Sequence, residues 1–299
     1  MKSTCLGTLP SADRLVPDHE HRPHRSLYRD AVYAQVAGFR PMLLDLLVPR
    51  GGPPVPVVLY LHGGGFDIGS HKITRDALGA AVTAELTARG IAVASVGYRL
   101  CGEALFPAAV HDVKAAVRWL KLHGELFGID SGRIGAWGGS AGGYFAAMLA
   151  VTAGRPELDG KLGVTGPDSS IQAAVSWFGP THFGSQPRLG PASQPNDDPA
   201  RSPESKFLGA AVENVPELAA AASPVSYLTA DAAPMLLVHG AEDDGVPISQ
   251  SERLRDAYRQ VGAPIELITV PGGNHGFSNV DRQPLLRASA EFLQRRLTC

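Results

Sequence analysis

The sequence predicts an α/β chain, a mostly parallel sheet with helices on both faces. Three observations carry that expectation. Short apolar runs bounded by Pro or Gly read as buried strands. Segments with apolar residues at helical spacing separate them, roughly 10 to 20 residues each, as right-handed crossovers require. The composition, 44% hydrophobic and 19% charged over 299 residues, suits a compact core.

Residues 1–30 are polar and His-rich without periodicity, so 1–35 reads as an N-terminal arm and 36–299 as one domain. The histidines His19, His21 and His24 read as part of a solvated tail, because no cysteine or close carboxylate pair completes a ligand set. From residue 42 the alternation begins. "MLLDLLVP" and "PVVLYLH" are strands, and "TRDALGAAVTAELTARG" is a helix stopped by Gly90. "GIAVASVGY" is a β-branched strand. "FPAAVHDVKAAVRWLKLHGELFG" is a longer helix ending near Gly124 or Gly128. "RIGAWG", the helical run "SAGGYFAAMLAVTAG" and the strand "IQAAVSWFG" follow. Residues 182 to about 223 then break the rhythm with Pro, Ser and Asp, and read as a small insertion or lid. "PMLLVHG", "SQSERLRDAYRQVG", "IELITVPG" and a helix from about Pro284 to Leu297 complete the order.

Composition also excludes partners. A net charge of −2 leaves no clustered basic surface for nucleic acid. No run approaches the roughly 18 apolar residues of a membrane span. The three cysteines, Cys5, Cys101 and Cys299, are widely spaced, with no CxxC pair, and no apolar stretch follows the N-terminal lysine. Neither a disulfide framework nor a zinc site is expected, and a cytoplasmic setting is.

Residues 138–142 read "GGSAG", a Gly-x-Ser-x-Gly pattern between a short strand and an Ala-rich helix. That is the setting of a nucleophile on a sharp strand-to-helix turn, so Ser140 is the candidate. "YLHGGGFDIGS" at 60–70 presents three glycines at a strand end, where bare backbone N–H groups can converge on one developing anion. Gly64 and Gly65 are the candidate donors, with Ala141 N–H at the start of the helix. A phosphate cradle is disfavoured, since neither a Lys-Ser/Thr pair nor GxGxxG accompanies the glycines.

A serine hydroxyl needs a base, and the base needs an acid to orient it. Two downstream strand ends offer these: "HGAEDDGVPISQS" with carboxylates at 242, 243 and 244, and "PGGNHGF" with His275. Spacing does not choose among the three carboxylates. His62 reads as bracing the glycine loop, His239 as structural, and His111 and His123 as packing residues.

With these motifs in order, the chain resembles α/β-hydrolases of the hormone-sensitive-lipase-like and acetyl/feruloyl-esterase-like group over roughly residues 40 to 297. "LDLLVP", "LHGGGF", "GYRL", "FPAAVHDVKAAVRWL", "RIGAWGGSAGG", "ASPVSYL", "HGAEDDGVPISQS" and "PGGNHGF" carry the likeness. The group's pattern His-Gly-x-x-Asp-x-x-Val-Pro places the acid on Asp243, with Val246 and Pro247 in register. Gly139 departs where many members have an acidic residue, Tyr144 where many have His, and Asp67 is a charge where apolar residues are common. The arm does not look like a two-helix cap.

The resemblance implies a serine carboxylic-ester hydrolase of the α/β-hydrolase fold, with Ser140, Asp243 and His275 catalytic and Gly64, Gly65 and Ala141 forming the oxyanion hole. A short-chain or compact ester is the expected small-molecule substrate, with Asp67 facing a polar group on it and Phe66, Tyr144, Trp177, Phe178 and Phe277 as candidate lining residues that could equally be core. No cofactor and no metal are expected, and the chain is read as a monomer or homodimer. The alternative is a repurposed enzyme that dehydrates, cyclises or transfers acyl groups. A plain binding protein would gain nothing from an activated nucleophile.

Overall fold

The computed structural model describes residues 18–22, 24–72, 77–185 and 199–298. Among the described residues nine strands form one sheet: β1 (Asp18–Arg22), β2 (Arg25–Ala34), β3 (Met42–Pro49), β4 (Val55–Leu61), β5 (Ala92–Val96), β6 (Ile129–Gly139), β7 (Ala173–Trp177), β8 (Met235–Gly240) and β9 (Ile265–Val270). Their order is β1-β2-β3-β5-β4-β6-β7-β8-β9. β1, β2 and β3 join antiparallel, and β5 through β9 run parallel with β4. This is the α/β-hydrolase fold.

The helices are α1 (Ala77–Thr87), α2 (Ala108–His123), α3 (Ala141–Val151), the single turn α4 (Pro156–Asp159), α5 (Pro203–Leu208), α6 (Pro216–Ala221), α7 (Ser249–Gln260) and α8 (Gln283–Leu297). Period-two alternation along the strands sorts side chains into two cores. Val57, Leu59 and Leu61 of β4 face one core with α2, α3 and α7, whereas Val58 and Tyr60 face the other with α1 and α8. Every residue named in that sentence is buried, so the parallel strands read as continuous apolar runs.

One region differs from the sequence reading. Residues 18–34, read as part of an arm, form an antiparallel hairpin that extends the sheet at β3. Their charges are those of an edge, where polar residues discourage further pairing. The helix ending near Gly124 uses both glycines: α2 stops at His123, a short 3-10 turn spans Gly124–Phe127, and Gly128 closes it at φ 76°. In the insertion, α5 is short but fully punctuated. Ser202 Oγ accepts from Ser205 N, Pro203 opens the helix and Gly209 ends it at φ 79°. The predicted start of the first helix at Thr74 and insertion residues 186–198 lie outside the described residues.

Strand order reverses at β4. β5 follows it on one side and β6 lies on the other, which opens a crevice at the carboxyl ends of β4 and β6. The loop after β4 and the turn after β6 both open there.

Candidate active site

Ser140 joins β6 to α3 with φ 56° and ψ −124°, a conformation few side-chain-bearing residues adopt. Its own N–H is tied to Trp177 O at 2.9 Å. The turn is possible because α3 lies hard against β4: a Cβ at Gly142 would collide with the Leu61 carbonyl. Only glycine fits there.

His275 stands over the serine. Its Nε2 is 3.1 Å from Ser140 Oγ, and its Nδ1 is 2.9 Å from Asp243 Oδ2. The carboxylate can only accept from Nδ1–H, which leaves Nε2 bare to accept from the serine hydroxyl. Phe178 packs edge-on against the imidazole with ring centres 4.7 Å apart. Among the three adjacent carboxylates, Glu242 and Asp244 are exposed and Asp243 is buried. Burial opposes ionisation of Asp243. Hydrogen bonds from His239, His275 and Val246 N outweigh it and hold the carboxyl well below the usual carboxylate range.

The loop after β4 wraps against the serine turn. A Cβ at Gly63 would lie 3.6 Å from Ser140 Cβ. Gly64 and Gly65 adopt φ 114° and 58°, and Gly64 O receives both Asp67 N and Ile68 N. Among the described residues no acceptor takes the N–H of Gly64, Gly65 or Ala141. His62 stacks on Tyr98 with ring centres 4.2 Å apart, and the Tyr98 hydroxyl donates to His62 O, which braces the loop.

The six residues expected at the substrate separate into groups. Phe66 and Tyr144 are buried with Phe183 and Phe207 in an aromatic cluster beside the glycine loop. Phe207, from the insertion, stacks on Phe66 at 4.4 Å. The Tyr144 hydroxyl is buried with no hydrogen-bond partner among the described residues. Phe178 touches His275. Trp177 and Phe277 are corrected to core positions: Trp177 belongs to the core shared with α1 and α8 and donates to Ser289 Oγ of α8, while Phe277 is fully buried against it. Asp67 is occupied by a partner from its own chain, Lys206 Nζ at 2.7 Å, and also accepts from Cys101 Sγ. The sequence reading missed Lys206, Phe183 and Phe207, which sit in or beside an insertion without periodicity.

A surface cavity of about 580 Å³, lined by His182, Val225, Ser249, Arg253 and Gln260 among others, contains none of Ser140, Asp243 or His275. Asp30, Asp45 and His71 converge, but Lys72 Nζ already lies 2.8 and 2.9 Å from the two carboxylates. His24 is exposed, and the side chains of His19 and His21 lie outside the described residues.

Residues 44–258 match the family model BD-FAE. The esterase LipC of Mycobacterium tuberculosis is 32% identical over 267 residues, covering 85% of this chain and 62% of LipC. The ethyl acetate hydrolase of Pseudomonas putida is 30% identical over 233 residues, covering 74% of this chain and 65% of that protein. The chain thus spans less than two thirds of these relatives. Among solved structures, a truncated carbohydrate esterase from gut microbiota superposes with a TM-score of 0.78 at 28% identity, covering 91% of this chain and 96% of that one.

Proposed function

The chain belongs to the BD-FAE family, and from that membership and the geometry after β6 we propose that it is a serine carboxylic-ester hydrolase. The observation that carries the reading is the continuous hydrogen-bonded line Ser140–His275–Asp243, at 3.1 and 2.9 Å, ending on a serine held at positive φ.

In this reading His275 Nε2 takes the hydroxyl proton as Ser140 Oγ attacks the acyl carbon. The carbonyl oxygen becomes an anion held by the N–H groups of Gly64, Gly65 and Ala141. Collapse of the tetrahedral intermediate breaks the C–O bond, and the departing alkoxide takes the proton from His275. Water then repeats the sequence on the acyl-serine, releasing the acid and restoring Ser140. Asp243 accepts from Nδ1–H throughout and stabilises the imidazolium.

Short or compact acyl groups are favoured because Phe66, Tyr144, Phe183 and Phe207 already fill the space beside the glycine loop. A sugar as the alcohol portion is a second reading, supported by the likeness to the carbohydrate esterase. No helix among the described residues is long and apolar enough to cross a membrane. A cytoplasmic setting is part of the proposal and rests on the cysteine spacing.

The test is a panel of p-nitrophenyl esters from acetate to laurate, with wild type and Ser140→Ala. Turnover concentrated at the short end and reduced about 10⁴-fold or more in the variant is expected. Turnover that survives removal of Ser140 refutes the mechanism. Silence across the panel, with Ser140 still labelled by a serine-directed phosphonate, favours the non-hydrolytic alternative. Release of acetate from an acetylated xylo-oligosaccharide tests the sugar reading.

A further inference from the structure

The acid of the candidate triad is touched by a second imidazole. Asp243 Oδ1 accepts from Gly245 N at 2.9 Å and Val246 N at 2.7 Å, and His275 Nδ1 sits between the two oxygens, 3.0 Å from Oδ1 and 2.9 Å from Oδ2. His239 Nε2 also lies 3.3 Å from Oδ2. His239 is wholly buried at the end of β8, four residues before the acid.

Its neighbours determine where its proton sits. Val246 O, which can only accept, is 2.8 Å from Nε2, so Nε2 carries the hydrogen. Ser251 Oγ, 2.7 Å from Nδ1, then donates into the bare nitrogen. The Nε2–H is directed to the Val246 carbonyl, and Asp243 Oδ2 lies 3.3 Å from the same nitrogen. One ring therefore links β8, the turn carrying the acid and the first turn of α7.

We propose that His239 is a positioning residue that keeps the Asp243 carboxylate turned toward His275, and this rests on the reading of Ser140 as nucleophile. With fixed backbone donors on Oδ1 alone, and a His275 ring reachable by either oxygen, the carboxylate could swing about its terminal torsion, which is soft. The positive N–H edge of His239, 3.3 Å from Oδ2, opposes that swing. The benefit appears when positive charge develops on His275, because its Nδ1–H then needs an acceptor already in place. A ring that merely ties β8 to α7 would need only its contacts with Val246 and Ser251.

The experiment compares His239→Gln, whose amide can place an N–H near the Nε2 position, with His239→Asn, whose shorter side chain cannot. Expected for His239→Asn are a kcat lower by about tenfold or more, a KM within about twofold, and an acid limb of the kcat/KM profile displaced to lower pH. His239→Gln is expected to recover most of kcat and the position of the limb. Matched melting temperatures for the two variants exclude a folding difference. Equal kcat losses in both, with the acid limb unmoved, overturn the proposal. Independently of activity, ¹⁵N spectra of histidine-labelled wild type should show His239 as the Nε2–H tautomer. The Nδ1–H tautomer overturns the proposal even if the enzyme is active. Absence of Ser140-dependent hydrolysis would instead overturn the ester-hydrolase reading.

Discussion

On the β4–β6 side of the site the backbone holds the atoms: Ser140 at φ 56°, Gly64 at 114° and Gly65 at 58°, with α3 pressed onto β4 at Gly142. On the β8–β9 side, side-chain hydrogen bonds do the holding, through Asp243, His239, Ser251 and His275. On the first side Gly64 and Gly142 leave no room for a Cβ, and on the second the acid and base are held by hydrogen bonds. Volume changes should therefore damage one half as stability, and polarity changes the other as rate.

The largest expected break is on the polar side. Asp243→Asn keeps the shape but, on the proposed mechanism, supplies an amide where a carboxylate orients the base, and kcat should fall about 10³- to 10⁴-fold with the variant still folded at the assay temperature though melting below wild type. Steady-state kinetics beside calorimetry checks both halves of that statement. On the backbone side, Gly142→Ala forces a methyl group into the Leu61 carbonyl, and a loss of about 3 kcal/mol or more is expected by urea unfolding.

A third comparison uses pH. Because Asp243 titrates below its unfolded value, its contribution to stability is complete above about pH 4 and disappears as pH falls through the folded value. The urea midpoint of wild type relative to Asp243→Asn should therefore be highest near neutrality and decline in acid. A difference that grows on acidification would contradict the hydrogen-bond assignment. The smallest effect belongs to neither half. Lys206→Met removes an exposed pair with Asp67, and a change under about 1 kcal/mol is expected, fading at high salt.

What could be read in the sequence follows the same division. The parallel strands are continuous apolar runs with glycine stops, so their order and the two glycine-rich turns were legible. The β1–β2 hairpin was not, because "DHEHR" carries the polarity of an edge and resembles coil. Choosing Asp243 over Glu242 and Asp244 needed family likeness, since only burial separates them and burial is a tertiary property. Trp177 was left open between substrate lining and core although alternation held the clue: Val175 and Trp177 share one face of β7, and that face meets α8. His239 was read as structural because nothing local reveals that a chain reversal returns Val246 O and Asp243 to its ring.

The dihedral angles of Ser140 bear on how this protein must evolve. A side-chain-bearing residue in such a conformation costs on the order of 1–3 kcal/mol, against a typical total stability of about 5–15 kcal/mol. On the proposed mechanism the serine must keep that posture to react, so selection cannot recover the loss locally. The surplus has to come from elsewhere in the fold, and substitutions that loosen the two buried cores should reach the folding threshold sooner here than in a relative that has given up the reaction and relaxed the turn.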